Sequence, residues 1–470
     1  RGSTRRRAAN AHRFPAAVPS AAQVANGWEA QTRRGLRLVL PDARLAEAVA
    51  ANRRYLLLFH HPGEITPGPA THHRSGFRDA AYLVAALDHY GFHSEAADAL
   101  AGYPGRQRAD GLFFSRRQEW DANGAALWTL AEHWRLTRNR DLFEPMATPV
   151  AKGAHWIERK RRAQRRRREP ELRGLLPAGS SAEHGGPVDY SYWDDFWGVA
   201  GLCSAAELLD GCGQPEAAAD AHRAGAEFWL DVERSLDVVA SRLGNRVMPA
   251  GPRRFPDAGA ISSLVACQPL GLLPPHHPAV VATVGFIRDR FLSSDGRAFG
   301  QAMSPTGSGP YLTLQLASVE LAAGDRRALD RLAWMLDAAT PTWTWPEAIH
   351  PRLPGGGMGD GHHGRAAAAF LSFVRTMLVR EVDGGGGLAL CSLLPGAWLG
   401  QEIEVHDAPT HGGRLSFALR WHGERPALLW QLDPHPGVGV VRLTAPGLDP
   451  AWSSTEVKGE ALLGPVSVSL

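Results

Sequence analysis

Lysine is close to absent from this sequence. Lys152, Lys160 and Lys458 are the only lysines among 51 basic residues, so the formal charge of +3 rests on arginine and reads as composition rather than as a nucleic-acid surface. Cysteine is scarce too. Cys203, Cys212, Cys267 and Cys391 lack paired CxxC spacing and are too few to staple 470 residues, which excludes a disulfide framework and predicts buried thiols in a reducing, cytoplasmic compartment. No uninterrupted apolar run reaches the roughly 18 residues that a membrane span needs. The opening RGSTRRRAAN holds neither an initiator Met nor an apolar leader, so the native start is expected to be missing. With 44% hydrophobic and 21% charged residues, the chain suits a large core and more than one domain.

Apolar residues recur at the helical period, with end signals, through most of the chain before residue 382. The spacing predicts helices near 43–58, 77–90, 93–103, 121–137, 141–162, 193–210, 214–242, 257–269, 277–293, 309–323, 325–338 and 363–380. Tight turns marked by Gly91, Asn139, Gly211 with Gly213, and Gly324 alternate with long polar loops over 59–76, 104–120, 163–192, 243–256, 294–308 and 339–362. Short connections make antiparallel neighbours, so the rhythm is that of six helical hairpins. If the hairpins close into a ring, every long loop emerges at one end and a single pocket collects residues from all of them.

The pattern changes at EVDGGGG, from Glu381. RLSFALRW (414–421), PALLWQL (426–432) and GVGVVRL (437–443) alternate with period two, and HGER fits a hairpin loop. Residues 386–470 are therefore read as a small antiparallel β domain, a sandwich packed as a structural cap, behind a helical domain over 40–382 and an extension over 1–39. ERKRRAQRRRREPELRG (158–174), with eight basic residues among ten from Arg159 to Arg168, is read as a solvated helix end, with a grip on an anionic polymer as the competing reading.

Polar clusters stand at the loop-to-helix junctions. SYWDDFWGVAGL places Asp194 and Asp195 among Tyr192, Trp193, Phe196 and Trp197, where rings hydrate a carboxyl poorly and raise its pKa. The same two acids would also suit a helix N-terminus. TWTWPEAIHP places Glu347 after Trp343 and Trp345 and before a glycine-rich loop. Cleavage of a glycosidic bond needs one protonated and one ionised carboxyl group, and Asp194 (or Asp195, since adjacent helical side chains diverge by about 100°) with Glu347 fits that pair. Arg78 and Asp79, and Asp121 with Asn123 beside Trp120, could hold sugar hydroxyls, though each group could equally cap a helix. Glu183 and His184, Trp193, Trp197, Trp345, Asp360, His362 and His363 complete the expected lining. The paired histidines lack HExxH or i, i+4 spacing, so no metal is expected, and no nucleotide or cofactor motif is present.

These residues resemble the six-hairpin glycosidases, whose (α/α)6 toroid is shared by glucoamylase- and glucodextranase-like hydrolases. Trp193-Asp194-Asp195 is similar to the Trp-Glu-Glu segment that carries their general acid, Glu347 is similar in position to their base, and Arg78-Asp79 resembles the pair that grips the terminal sugar. The chain departs from them in using Asp for the acid and in the GDGHHG loop. The resemblance implies a mainly α fold, an (α/α)6 toroid followed by a β-sandwich, and an inverting glycoside hydrolase acting on an oligo- or polysaccharide without cofactor. A carbohydrate is the expected partner, with no nucleic acid and no membrane. The rivals are a noncatalytic carbohydrate-binding protein and a phosphorylase or lyase on the same toroid.

Overall fold

The structure, a computed structural model, describes residues 18–180, 188–300, 307–350, 352 and 355–466. In chain order the helices are α1 (Ala21–Thr32), α2 (Ala43–Phe59), α3 (Phe77–His89), α4 (His93–Ala101), α5 (Asp121–Thr137), a one-turn α6 (Arg140–Phe143), α7 (Ala147–Arg162), α8 (Tyr192–Gly211), α9 (Pro215–Leu243), α10 (Pro278–Arg290), α11 (Pro310–Ala322), α12 (Arg327–Asp337) and α13 (Gly364–Leu378). A 3₁₀ helix over Ala258–Ala266 stands where the sequence predicts an α-helix. It still takes its place in the fold.

Two kinds of helix make the ring. α8 and α11 are buried on nearly every face, whereas α9 and α12 bury one apolar stripe and turn the other face to solvent. The buried set, α3, α5, α8, the 3₁₀ helix, α11 and α13, packs each on the next, and α13 returns to α3 to close the circle. Around it α4, α7, α9, α10 and α12 form the outer layer. α2, first in the chain, lies against α13, last of the ring, and supplies the sixth outer helix. The chain is thus an (α/α)6 toroid.

Glycines set the tightest helix crossing. A Cβ on Gly124 of α5 would lie 2.1 Å from the Trp197 carbonyl oxygen, and one on Gly201 of α8 would lie 2.6 Å from the Gly124 Cα. Only hydrogen side chains admit that approach, which brings the first turn of α5, with Asp121, against the first turn of α8, with Asp194.

The short strands β2 (His60–His61) and β3 (Glu64–Ile65) pair in one loop, and β4 (Ala348–Ile349) and β5 (Gly356–Met358) in another. The remaining strands are β1 (Arg37–Val39), β6 (Val379–Val382), β7 (Gly387–Leu390), β8 (Ile403–Thr410), β9 (Gly413–His422), β10 (Arg425–Pro434), β11 (Arg442–Ala445), β12 (Asp449–Ser454) and β13 (Lys458–Leu462). They form a five-stranded sheet ordered β1-β8-β9-β10-β13 and a four-stranded one ordered β12-β11-β7-β6. All pairings are antiparallel except β11 on β7. β6 begins directly at the end of α13, so Gly384 to Gly386 turn a hairpin inside the sheet instead of linking two domains. β1, from the predicted extension, is an edge strand of the larger sheet. Gly437 and Gly439 break the predicted strand over 437–443, which starts only at Arg442.

The β domain seals the far end of the ring. Arg375 of α13 is buried and donates to the carbonyls of Val379 and Pro409 and to Glu381, and His411 pairs with Glu132 at 2.9 Å. A cavity of about 630 Å³ runs down the inside of the ring from Tyr82, Tyr311 and Arg365 to Glu381 and His411. The four cysteines are unpaired, but Cys203 is exposed and Cys212 half-buried, which corrects the expectation of four buried thiols. Among the described residues no helix is long and apolar enough to cross a membrane.

Candidate active site

The inner helices all begin at the end of the toroid opposite the β domain, and the first turns of α3, α5, α8 and α13 carry charged groups. Asp194 is 1% exposed, and neither of its carboxylate oxygens has a hydrogen-bond partner among the described residues. Facing it is a fixed group: Asp121 Oδ2 accepts from Arg78 Nε at 2.6 Å and from the indole N–H of Trp193 at 2.8 Å. Glu119 lies 3.9 Å from the same guanidinium. Burial holds the Asp194 carboxyl well above the usual carboxylate range; the Asp121 carboxylate adds to it, as do Asp195 and Glu119, against Arg78. Burial also raises Glu119, opposed by Arg78.

The neighbouring acid points elsewhere. Asp195 Oδ1 accepts the Leu176 N–H at 2.8 Å, inside the packing of the 172–176 loop, and burial pushes its carboxyl up to about 8. Adjacent positions on a helix diverge, and here the divergence leaves Asp194 with the charged group and Asp195 with a loop amide.

Arg365, in the first turn of α13, was missed by the sequence reading. Its guanidinium lies 4.5 Å from the Tyr82 ring centre, 4.4 Å from Tyr311 and 5.5 Å from Trp193, with Asp79 at 3.9 Å. It therefore spans four inner helices, α13, α3, α8 and α11, at the head of the central cavity. A usable signal existed: each inner helix offers its first turn to one end, so the residue just after GDGHHG belonged with Arg78, Asp121 and Asp194.

Glu347 sits in the loop before β4 at the same end. His72 Nε2 is 2.9 Å from Glu347 Oε2, and the His72 ring is 6.2 Å from that of His363, which lies 5.5 Å from Tyr311. A continuous line of side chains, Glu347, His72, His363, Tyr311, Arg365 and Trp193, thus joins the glutamate to the helix turn that holds Asp194. His72 was also missed. Asp360 accepts the backbone N–H groups of Ala70 and Thr71 at 2.8–2.9 Å and so pins the loop carrying His72 against the glycine-rich loop.

Several expected lining residues have other partners. Asn123 spends its amide on the backbone of Phe113, Gly111 and Gly153, so it fixes the loop before α5 instead of reaching sugar hydroxyls. Trp345 is buried against Phe370 and donates to the Met335 carbonyl, and Trp197 is buried one turn below Trp193. His362 packs on Tyr55 and Phe59, where burial lowers its imidazole to about 4. Trp120 donates to the Ala178 carbonyl and keeps part of its face open. Glu183 and His184 lie outside the described residues.

Among the described residues one cluster could offer donors to a metal: Asp88, His93 and His133, whose donor atoms lie within 4.8 Å of one another at the far end of α3 and α5. Hydrogen bonds account for this geometry, since Asp88 accepts from Nδ1 of His93 at 2.8 Å and of His133 at 2.9 Å. Those imidazoles hold the Asp88 carboxyl below its ordinary range although burial opposes them.

The ring of six helical hairpins, closed by a β domain and with its acids at one end, is the architecture of the six-hairpin toroid glycoside hydrolases. Solved structures similar to the chain are of that class. A wild-type glycosidase matches with a TM-score of 0.55 at 16% identity, over 71% of this chain and 96% of its own. A bacterial glucoamylase complexed with acarbose matches with a TM-score of 0.51 at 12% identity, over 70% of this chain and 55% of its own. An α-L-rhamnosidase from Dictyoglumus thermophilum matches with a TM-score of 0.60 at 11% identity, over 87% of this chain and 45% of its own. Identities this low establish a shared fold. No protein-family model matches the chain. No curated protein matches it either.

Proposed function

We propose that this protein is a glycoside hydrolase that cleaves an oligo- or polysaccharide with inversion, Asp194 acting as general acid and Glu347 as general base. The observation that carries the reading is the setting of Asp194: a buried carboxyl without a hydrogen-bond partner among the described residues, beside the Asp121 carboxylate that Arg78 and Trp193 hold in place, keeps its proton more tightly than an ordinary carboxyl and is placed to donate it. The glycosidic oxygen takes that proton as its bond to the anomeric carbon breaks. Water attacks from the opposite face while Glu347, oriented by His72, removes its proton, and exchange with solvent resets both groups. Inversion requires the two carboxyl groups to stand about 6.5–9.5 Å apart. Arg78, Asp79, Glu119 and Arg365 then contact hydroxyls of the sugar seated between them, with the buried Trp193 ring behind both guanidinium groups. Neighbouring folds that are named glycosidase, glucoamylase and rhamnosidase support the reaction class.

The test is hydrolysis of a panel of glycans with the product anomer followed by proton NMR. Asp194→Asn and Glu347→Gln should each cut release of reducing sugar by about 10²–10⁴ while glycan binding persists. A product of retained configuration would overturn the inverting mechanism, and release that depends on phosphate would identify a phosphorylase.

A further inference from the structure

The basic run after α7 is a built surface at the mouth of the site. Outer helices run opposite to inner ones, so the end of α7 emerges at the end of the toroid where Asp194 lies. Part of the run is neutralised: Arg161 is buried among Glu158, Glu227 and Asp231, Arg165 pairs with Glu227, and Arg159 with Asp110. Arg166, Arg167 and Arg168 are exposed and have no ion pair among the described residues. Their loop is held in place, because Arg173 donates to the carbonyls of Arg167 and Arg168 at 2.8 and 3.1 Å.

Two further segments converge on the same rim. Arg253 comes from the loop after α9, where it shares its charge with the exposed Glu169 at 3.5 Å, and the Arg253 and Arg167 guanidinium groups lie 5.1 and 6.0 Å from one ring centre, that of Tyr190. Lys160 stands 5.2 Å over Trp120. Phe255, two residues beyond Arg253, is 77% exposed, a large apolar ring next to a positive ledge. Inside the mouth the balance reverses, with Asp79, Glu119 and Asp121 set against Arg78 and Arg365.

We infer that this rim binds an acidic polysaccharide, so that the substrate presents a neutral sugar to the hollow and trails uronate or sulfate groups across Arg166, Arg167, Arg168 and Arg253. The inference deepens the hydrolase reading by naming its substrate class. Cations on a fixed ledge attract a polyanion through released counterions, and exposed rings stack on the apolar faces of pyranoses. A nucleic acid fits less well, because every phosphodiester that entered the hollow would meet its carboxylates.

The experiment measures binding of the full chain to a polyuronate, a sulfated glycan, a neutral dextran and a single-stranded RNA between about 50 and 200 mM salt. The acidic glycans should bind and the dextran should not, with affinity falling steeply as salt rises. The triple change Arg166→Gln, Arg167→Gln, Arg168→Gln should weaken polyuronate binding by about tenfold or more and flatten the salt dependence by roughly two to three charges. The matching triple change to Lys should restore most of the affinity, and turnover of a small neutral glycoside should be unchanged in both. Equal binding by wild type and the Gln variant would overturn the inference, as would RNA displacing the polyuronate at equal charge. Polyuronate binding without turnover of any glycan would instead sink the hydrolase reading and leave the rim standing.

Discussion

Replacing Asp195 by Asn tests, in one variant, whether this acid is a neutral packing group and whether the proton donor is the other one. The change preserves shape and keeps an oxygen to accept the Leu176 N–H. What it removes is a group whose carboxyl is raised from 3.8 to about 8 by burial. A folded-state pKa above the unfolded one means that the folded protein holds the proton more tightly. The associated stability is fully present below pH 3.8 and is lost as pH rises through the folded value, because between the two the unfolded state gives up a proton that the folded state keeps. Each pKa unit corresponds to 1.36 kcal/mol, so the wild type at pH 7 forfeits at most about 4 kcal/mol relative to acid conditions. Asparagine forfeits none of it. The variant should therefore gain up to about 4 kcal/mol on the wild type between roughly pH 4 and pH 7, levelling off above about pH 8, read as the difference between their melting midpoints across that range. Turnover should stay within about tenfold of wild type, since the general-acid contribution of roughly 10²–10⁴ is untouched. A stability difference independent of pH would refute the neutral, desolvated Asp195. Loss of turnover in a folded variant would move the acid role from Asp194 to Asp195.

Three other outcomes follow from the same geometry. Asp194→Asn should lower kcat by about 10²–10⁴ and abolish the alkaline limb of the pH–rate profile, because that limb reports the raised carboxyl losing its proton; a limb that survives would assign it to another group. Gly124→Ala should destabilise the chain by about 1–3 kcal/mol or more despite alanine's better helix propensity, since its Cβ would meet a backbone carbonyl at 2.1 Å, and an unchanged melting midpoint would show that the two helices can part freely. Asp360→Ala should raise KM about several-fold with a smaller effect on kcat, as two backbone N–H groups lose their acceptor and the His72 loop loosens, and kinetics equal to wild type would rule out a role for that pin.

The ring was legible because it depends on a period and on spacing. Helices that must be buried on all sides, such as α8, and helices that bury one stripe, such as α9, differ in composition, and the alternation of short and long connections needs no partner to be read. Closure was not legible in the same way: that α2 covers α13 and that β1 joins β8 are contacts across more than 300 residues, which no local pattern carries. The 3₁₀ turn over Ala258–Ala266 shows the same limit at short range, since its apolar content suits any inner position and its hydrogen-bond pattern is set by what packs on it.

At the site, sequence marked which turns carry acids but not which way each side chain leaves its helix. Trp345 and Asn123 looked like ligand contacts because they stand beside Glu347 and Asp121, yet a flanking position on a turn faces a different neighbour, and both found theirs in the scaffold. Arg365 went the other way: one arginine in an arginine-rich chain, it gains meaning only when Tyr82, Trp193 and Tyr311 come together around it from three other helices. A first turn facing the hollow is therefore a stronger mark of function in this ring than adjacency to an acid. By that rule Tyr311 belongs with the acids in the proposed site, although it stands alone in its own segment.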